Sequence, residues 1–409
     1  MKKKWIIFTV LALGYILVYF HRLCTAVVAT DMKADLEISG TLLGLLGAAY
    51  FYPYALMQLP AGLLSDTWGP RKTITTFFII AGIGSFILGI SETFYIALLG
   101  RTLVGIGVAM LFVPTLKVLS VWFHAKSFSG VTGLLIAMGG VGTLIATSPL
   151  AFLNNKIGWR NSFILIGGIT LIASLLVWLI VKDKPEDDNH NHNNDLKKYS
   201  LKESVKIVLS SKSFWVLAIW FFFNSGIFFS FGALWAGPYL KQVYGYSNLE
   251  SGFILSMFAF GMILGSPTLG LVSNNPKLGR KGVIIICAVS SLIILLIFYF
   301  NVASIGKPFL FILFFAMGVF TNAIVAIGFT ASKELFSIKI AGTSTGLVNF
   351  FPFAGGAVAQ PIIGYIMEKT GKTGIMYSHG AYENMFLFLI VFSSIAFIAS
   401  LKIEETLTS

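Results

Sequence analysis

Long apolar runs alternate with short polar breaks along almost the whole chain. At 1.5 Å of rise per residue, about twenty apolar residues are needed to cross a hydrocarbon core. Runs of that kind lie near 5–30, 41–65, 73–91, 95–121, 128–153 and 160–181, and then near 213–240, 249–273, 282–301, 308–332, 340–367 and 381–402. The pattern predicts an all-α membrane protein with twelve transmembrane helices in two pseudo-symmetric six-helix bundles. The opening MKKKWIIFTV has the basic start of a signal peptide, but the run continues to Ala29 without a small-residue cleavage site and reads as an uncleaved first span. Residues 1–181 and 213–409 are the expected halves, and 182–212 is the expected linker. That linker is rich in Asp, Asn, His and Lys, begins with the helix-stopping Pro185, and at 198–212 is compatible with an amphipathic helix on the membrane surface.

Composition supports lipid as the solvent. Of 409 residues 56% are hydrophobic and 11% are charged, against about 25% charged in a typical soluble domain. The net charge of +12 comes from Lys and Arg scattered over short loops, which excludes the clustered cationic face that a nucleic acid requires. Placing the N-terminus in the cytoplasm leaves 19 of the 29 Lys and Arg on that side, seven opposite, and three within spans. Both termini and the linker are therefore expected to be cytoplasmic, in a bacterial inner membrane. Cys24 and Cys287 fall in apolar runs, and His190 and His192 lack a third ligand at useful spacing, so neither a metal site nor a cofactor is expected. No nucleophile–base pair marks an enzyme.

The loop after the second span reads GLLSDTWGPRK at 62–72, and the loop after the eighth reads GLVSNNPKLGRK at 270–281. Two copies about 208 residues apart, at equivalent places, imply homologous halves. Gly62 and Gly69 are suited to close helix approach and a tight turn. Asp66 is suited to a helix N-terminus, and Arg71 and Lys72 to headgroups. Spans five and eleven are rich in small residues and carry Pro149, Pro352 and Pro361, which permit contact and bending. Together with GRTLVGIGVA at 100–109, including Arg101 and Gly105, these loops resemble the signatures of the major facilitator superfamily. That resemblance implies two bundles rocking about one central solute site. It further implies that Asp66 clamps the start of span eleven near 341–345, more strongly than Asn274 does in the second copy.

Intramembrane charges are functional by default, because lipid does not solvate them. Arg22, Arg101 and Lys117 lie within spans, whereas every Asp and Glu lies in a loop or near a helix end. Buried cations without carboxylates suit an anionic guest. Arg22 is the first candidate. Arg101 could instead bond backbone carbonyls between helices, and Lys117 could snorkel or hold a loop. YFHR at 19–22 resembles the first-helix pattern of the superfamily's organic-anion symporters, with His21 where those carry an acidic residue. His21 is thus either a proton carrier or a hydrogen-bonding residue. Tyr50, Tyr54 and Gln58 recur every four residues on one face of span two and could orient the anion, or pack. Asn224, Trp235, Asn322, Asn349 and Gln360 are candidates in the second half, with helix bridging as the rival role.

The sequence therefore predicts a monomeric carrier of a small organic anion, a carboxylate or phosphate ester, working by alternating access with or without a coupled proton. An amino-acid, dipeptide or nucleoside carrier of the same fold is the alternative.

Overall fold

The structure is a computed structural model that describes residues 2–123, 125–185, 201–337, 340–373 and 376–407. His190 and His192 lie outside these residues, as does the beginning of the expected surface helix. Its described part, Leu201–Leu209, is helical.

Twelve apolar helical spans are present. Among the described residues eleven helical stretches are long and apolar enough to cross a membrane, ten of them single spans, and the eleventh, the 50-residue Val131–Ile180, holds spans five and six. A turn at Gly158, with φ of 76°, separates these two. The remaining element is a two-stranded antiparallel hairpin, Lys372–Thr373 with Met376–Tyr377, between spans eleven and twelve. Span one reaches farther than its apolar run: Lys2–Leu23 is followed, after a break at Cys24, by Thr25–Asp35.

Three interruptions have one cause. A proline has no N–H to give the carbonyl four residues earlier. Span four breaks between Phe94–Ala109 and Phe112–Trp122, just before Pro114. Span five breaks between Ala125–Ile145 and Ser148–Ile180, before Pro149, and span eleven breaks at Asn349, before Pro352. Pro361 bends no break, and the helix Phe350–Thr370 runs through it. Two wider π-helical turns, Phe228–Trp235 in span seven and Gly318–Ala323 in span ten, have no proline and lie at mid-span.

The halves meet mainly through two helix pairs, span two with eleven and span five with eight, and span one also packs on span seven. Because spans two and eight are repeat equivalents, and five and eleven likewise, these pairs exchange under the internal symmetry. Glycine sets how closely they approach. A Cβ on Gly44 would fall 2.6 Å from Pro361 Cα, and one on Gly364 would run into the Gly40 carbonyl. A Cβ on Gly252 of span eight would come 3.1 Å from Ser148 Cα of span five. Gly69, with φ of 88°, makes the expected turn. At Gly62 the expectation of close helix approach is not met: a Cβ there would meet nothing within 4 Å, so that glycine faces open space.

On the face opposite the chain termini the halves are closed over each other. Gly237 packs on the Ala26 carbonyl, and Lys241 Nζ donates to the Val27 carbonyl at 2.8 Å. Asp31 accepts from Asn154 at 2.5 Å and from Asn248 at 3.5 Å, while Gly40 N donates to Glu368 at 2.8 Å.

Candidate solute-binding site

Arg22 lies on the last turn of the first helical piece of span one, just before the break at Cys24. It is 4% exposed. Its guanidinium donates to the Tyr54 hydroxyl at 2.9 Å and lies 4.3 Å from the Tyr19 ring, 5.0 Å from Tyr54 and 5.0 Å from Phe353. Phe229 is 5.9 Å away. Tyr19 and Tyr54 come from the first half, Phe229 and Phe353 from the second, so Arg22 sits where the two halves meet. Its Nε is buried without a hydrogen-bond partner. Among the described residues no carboxylate pairs with it.

A desolvated cation lacking a counter-ion is costly unless hydrogen bonds or another charge compensate. Ring faces supply part of that compensation through their quadrupoles, about 0.5–2 kcal/mol per contact. The rest of the arginine fork is unspent. Five donors in a plane match the two oxygens of a carboxylate or two of a phosphate.

Tyr50 and Tyr54, four residues apart in span two, stack with centroids at 5.7 Å. Tyr50 donates to the Val18 carbonyl at 3.4 Å. Gln58 accepts from Asn349 of span eleven at 2.8 Å, and the pair joins the halves one turn beyond Tyr54. Tyr54 and Gln58 of that face meet span eleven, whereas the Tyr50 hydroxyl is held by span one.

The other candidates occupy different places. His21 is 1% exposed and bonds Thr170 of span six at 3.1 Å, inside the first half. This is the geometry of its hydrogen-bonding alternative. Arg101 donates to the His21 carbonyl at 3.0 Å and to Cys24 Sγ at 3.7 Å, and it lies 5.1 Å from the Tyr50 ring. It ties span four to the break in span one, which is the backbone role. Gly105 lets span four press on the Tyr50 carbonyl.

Lys117 requires a correction as a solute ligand. Its Nζ donates to the Ser65 carbonyl at 2.9 Å. Ser65 is eleven residues beyond Tyr54, or about 16 Å along that helix. Lys117 holds the end of span two, away from Arg22.

In the second half the amides bridge helices. Asn224 donates to the Thr321 carbonyl at 2.9 Å, and Asn322 to Met262 Sδ at 3.0 Å. Trp235 Nε1 donates to the Gln360 carbonyl at 3.2 Å, and the Gln360 amide donates to the Phe229 carbonyl at 2.8 Å. Gly69 and Arg71 form the turn after span two, where Arg71 N donates to Asp183 at 2.7 Å and its guanidinium stacks 4.3 Å from Trp178. The Asp66 side chain and the first residues of span eleven lie outside what the structure describes in side-chain detail, so the expected clamp does too.

Three rings near Arg22, those of Phe229, Phe353 and Tyr19, and the Tyr15 ring packed on Tyr19, are absent from the candidates the sequence suggests. Phe229 and Phe353 are hidden among 38 Phe, most of which serve packing or lipid contact. Tyr15 and Tyr19 could have been found. They are four residues apart, with Arg22 three further on, the same spacing rule that picked Tyr50 and Tyr54. Their rings contact at 5.2 Å.

The sequence profile of the Major Facilitator Superfamily matches residues 11–273 and 234–408. The protein named "Probable sulfoacetate transporter SauU", from Cupriavidus necator, is 23% identical over 94% of this chain and 94% of its own length. The one named "Probable galactarate/D-glucarate transporter GudP", from Escherichia coli, is 24% identical over 87% of this chain and 85% of its own. A crystal structure of a D-xylose-proton symporter overlays with a TM-score of 0.79 at 15% identity, covering 99% of this chain and 98% of that one, which is a likeness of fold. With twelve apolar spans, an internal repeat and a profile match along nearly its whole length, the chain is an integral multi-pass membrane protein and belongs to the Major Facilitator Superfamily.

Proposed function

We propose that this transporter carries a small organic anion, a carboxylate or phosphate ester, by rocking residues 1–181 against 213–409 about Arg22. The chain is a superfamily transporter and not an enzyme. The observation that carries the anion is the buried Arg22 between the halves, with one hydrogen bond to Tyr54, an unspent Nε and no carboxylate partner among the described residues. An incoming anion supplies the missing charge. Relatives named for sulfoacetate and for galactarate and glucarate support the same class of solute.

The positive-inside bias puts the termini in the cytoplasm of a bacterial inner membrane, so the closed face is the outer one. Both halves of the site come from one chain, and a monomer suffices. No proton is routed through His21, whose ring faces Thr170 and not the other half. A zwitterionic amino acid takes second place: ring faces would attract its ammonium group, but among the described residues no acidic side chain stands beside Arg22 to pair with it.

Counterflow into proteoliposomes with labelled carboxylates and phosphate esters tests the reading. Arg22→Ala removes a buried charge-assisted contact worth about 2–5 kcal/mol, a loss of roughly thirtyfold or more. Arg22→Lys keeps the charge without the fork and retains part of the activity. Undiminished transport by a monodisperse Arg22→Ala protein refutes the proposal.

A further inference from the structure

The first half presents a cation to the contact plane, and the second half answers with rings. Phe229 and Phe353 stack at 5.3 Å with planes 21° apart, and Phe51 of span two lies 5.1 Å from Phe229 and 6.4 Å from Phe353. Tyr54 and Phe353 touch across the halves at 4.3 Å. These rings are held in place. Phe229 lies on the π-helical turn of span seven, and a Cβ on Gly356 of span eleven would come within 2.5 Å of Phe229 Cβ.

Five polar side chains of the second half donate within the protein. Asn224, Trp235, Asn322, Asn349 and Gln360 each donate to a protein acceptor. The Lys residues of residues 213–409 fall at span ends or in loops, and Arg280 pairs with Glu334 at 3.1 Å near the termini. Arg101 is turned into the first half, on the His21 carbonyl and behind the Tyr50 ring. One guanidinium therefore meets the other half, and opposite it stands an apolar aromatic wall.

Resting on the anion-carrier reading, we infer that the solute is an amphiphilic monoanion: one carboxylate on Arg22 and Tyr54, with an apolar, preferably aromatic, body among Phe51, Phe229 and Phe353. A second anionic group on that body would press against ring faces, whose negative quadrupole repels it. A polar sugar body would lose its water there without replacement hydrogen bonds. The inference separates this chain from a carrier of dicarboxylates or sugar phosphates, although all would use the same arginine.

The test is a binding series on the purified full chain, by thermal shift and by competition in counterflow, using phenylacetate, acetate, succinate and glucose 6-phosphate. Phenylacetate is expected to bind about tenfold or more tighter than each of the others, the order expected from added ring stacking and area burial. Phe353→Ala should cut the phenylacetate-to-acetate affinity ratio about tenfold. Phe353→Leu, which keeps most of the volume and folds more safely, should cut it in the same direction. Arg22→Ala should remove binding of every anion. Tighter, Arg22-dependent binding of succinate or glucose 6-phosphate overturns the inference and leaves the carrier reading standing, as does a ratio unmoved by both Phe353 variants. Anion binding that ignores Arg22→Ala, or no binding by any of the four, overturns both.

Discussion

Replacing Gly44 by Ala adds one carbon to the seal between spans two and eleven. That carbon would lie 2.5 Å from the Gln360 carbonyl oxygen, 2.6 Å from Pro361 Cα and 2.8 Å from the Gln360 carbonyl carbon, where ordinary contact begins at 3.4 Å. All three atoms are backbone and cannot rotate aside. The helices must separate by about 1 Å, and overpacking of this kind costs about 1–3 kcal/mol. Alanine's better helix propensity acts equally in every conformation in which span two is helical, so it does not offset a penalty confined to the closed one. The closed face should lose roughly five- to 150-fold in population against its open alternative. A cysteine at Leu43, buried beside the seal, reads this out in a Cys24→Ser, Cys287→Ser background. Its labelling by a membrane-impermeant maleimide should accelerate by that factor, with monodispersity confirming intact protein. Gly62→Ala, whose Cβ meets nothing within 4 Å, is the matched control and should leave labelling unchanged. Equal labelling of Gly44→Ala and the parent would refute the claim that backbone contact at this glycine holds the face shut.

Two smaller effects are expected elsewhere. Asp31→Asn removes the charge that faces Lys241 at 4.0 Å and accepts from Asn154 and Asn248; because Asp31 is partly exposed, the loss is worth at most about 1 kcal/mol, and labelling at Leu43 should rise no more than about fivefold. Glu405, beyond the last span, feels burial pushing its carboxyl up, but donations from the Leu407, Arg280, Lys281 and Thr406 N–H groups outweigh this and hold it below the usual carboxylate range. A depressed native value means that its stabilisation is present above the unfolded value and is lost as pH falls through the native one. Glu405→Gln should therefore lower the melting temperature at pH 7 slightly, and the difference from the parent should close on acidification toward pH 3, as followed by thermal shift.

The spans and the repeat were legible because lipid imposes a period-free apolar length that no soluble pattern mimics. Arg22 was legible because a charge inside such a run stands out. Tyr50, Tyr54 and Gln58 followed from spacing alone. What escaped did so for physical reasons. Adjacent residues on a helix point about 100° apart, so His21 and Arg22 cannot face the same place; one turns to Thr170 and the other to the facing half. Lys117 looked like an intramembrane cation, but the carbonyl it reaches belongs to the end of another helix, which spacing within its own span does not reveal. Asp31, Lys33 and Asp35 read as loop residues and hid the continuation of span one, where they meet partners from distant spans, such as Arg160 for Asp35. Phe229 and Phe353 carry no local mark that separates a ring facing Arg22 from one facing lipid.

The site and the seal are built on the same two helices. Along span two, Gly40, Gly44 and Phe51 meet span eleven at Gly364, Pro361 and Phe353 in turn. From Phe353 to Gly364 is eleven residues of continuous helix, about 16 Å. A guest that parts Tyr54 from Phe353 to reach Arg22 pushes on the rod whose other end closes the outer face. A carbon at Gly44 pushes on it from that end. If the two share one open–closed equilibrium, linkage requires reciprocity: whatever factor anion binding imposes on opening, opening imposes on anion affinity. The Gly44→Ala protein, with Arg22 and every ring around it untouched, should then bind anions more tightly if the anion speeds labelling at Leu43, and more weakly if the anion slows it. An affinity that moves against that sign would mean that the seal and the site move on separate elements, and that span eleven is hinged at Pro361 instead of swinging whole.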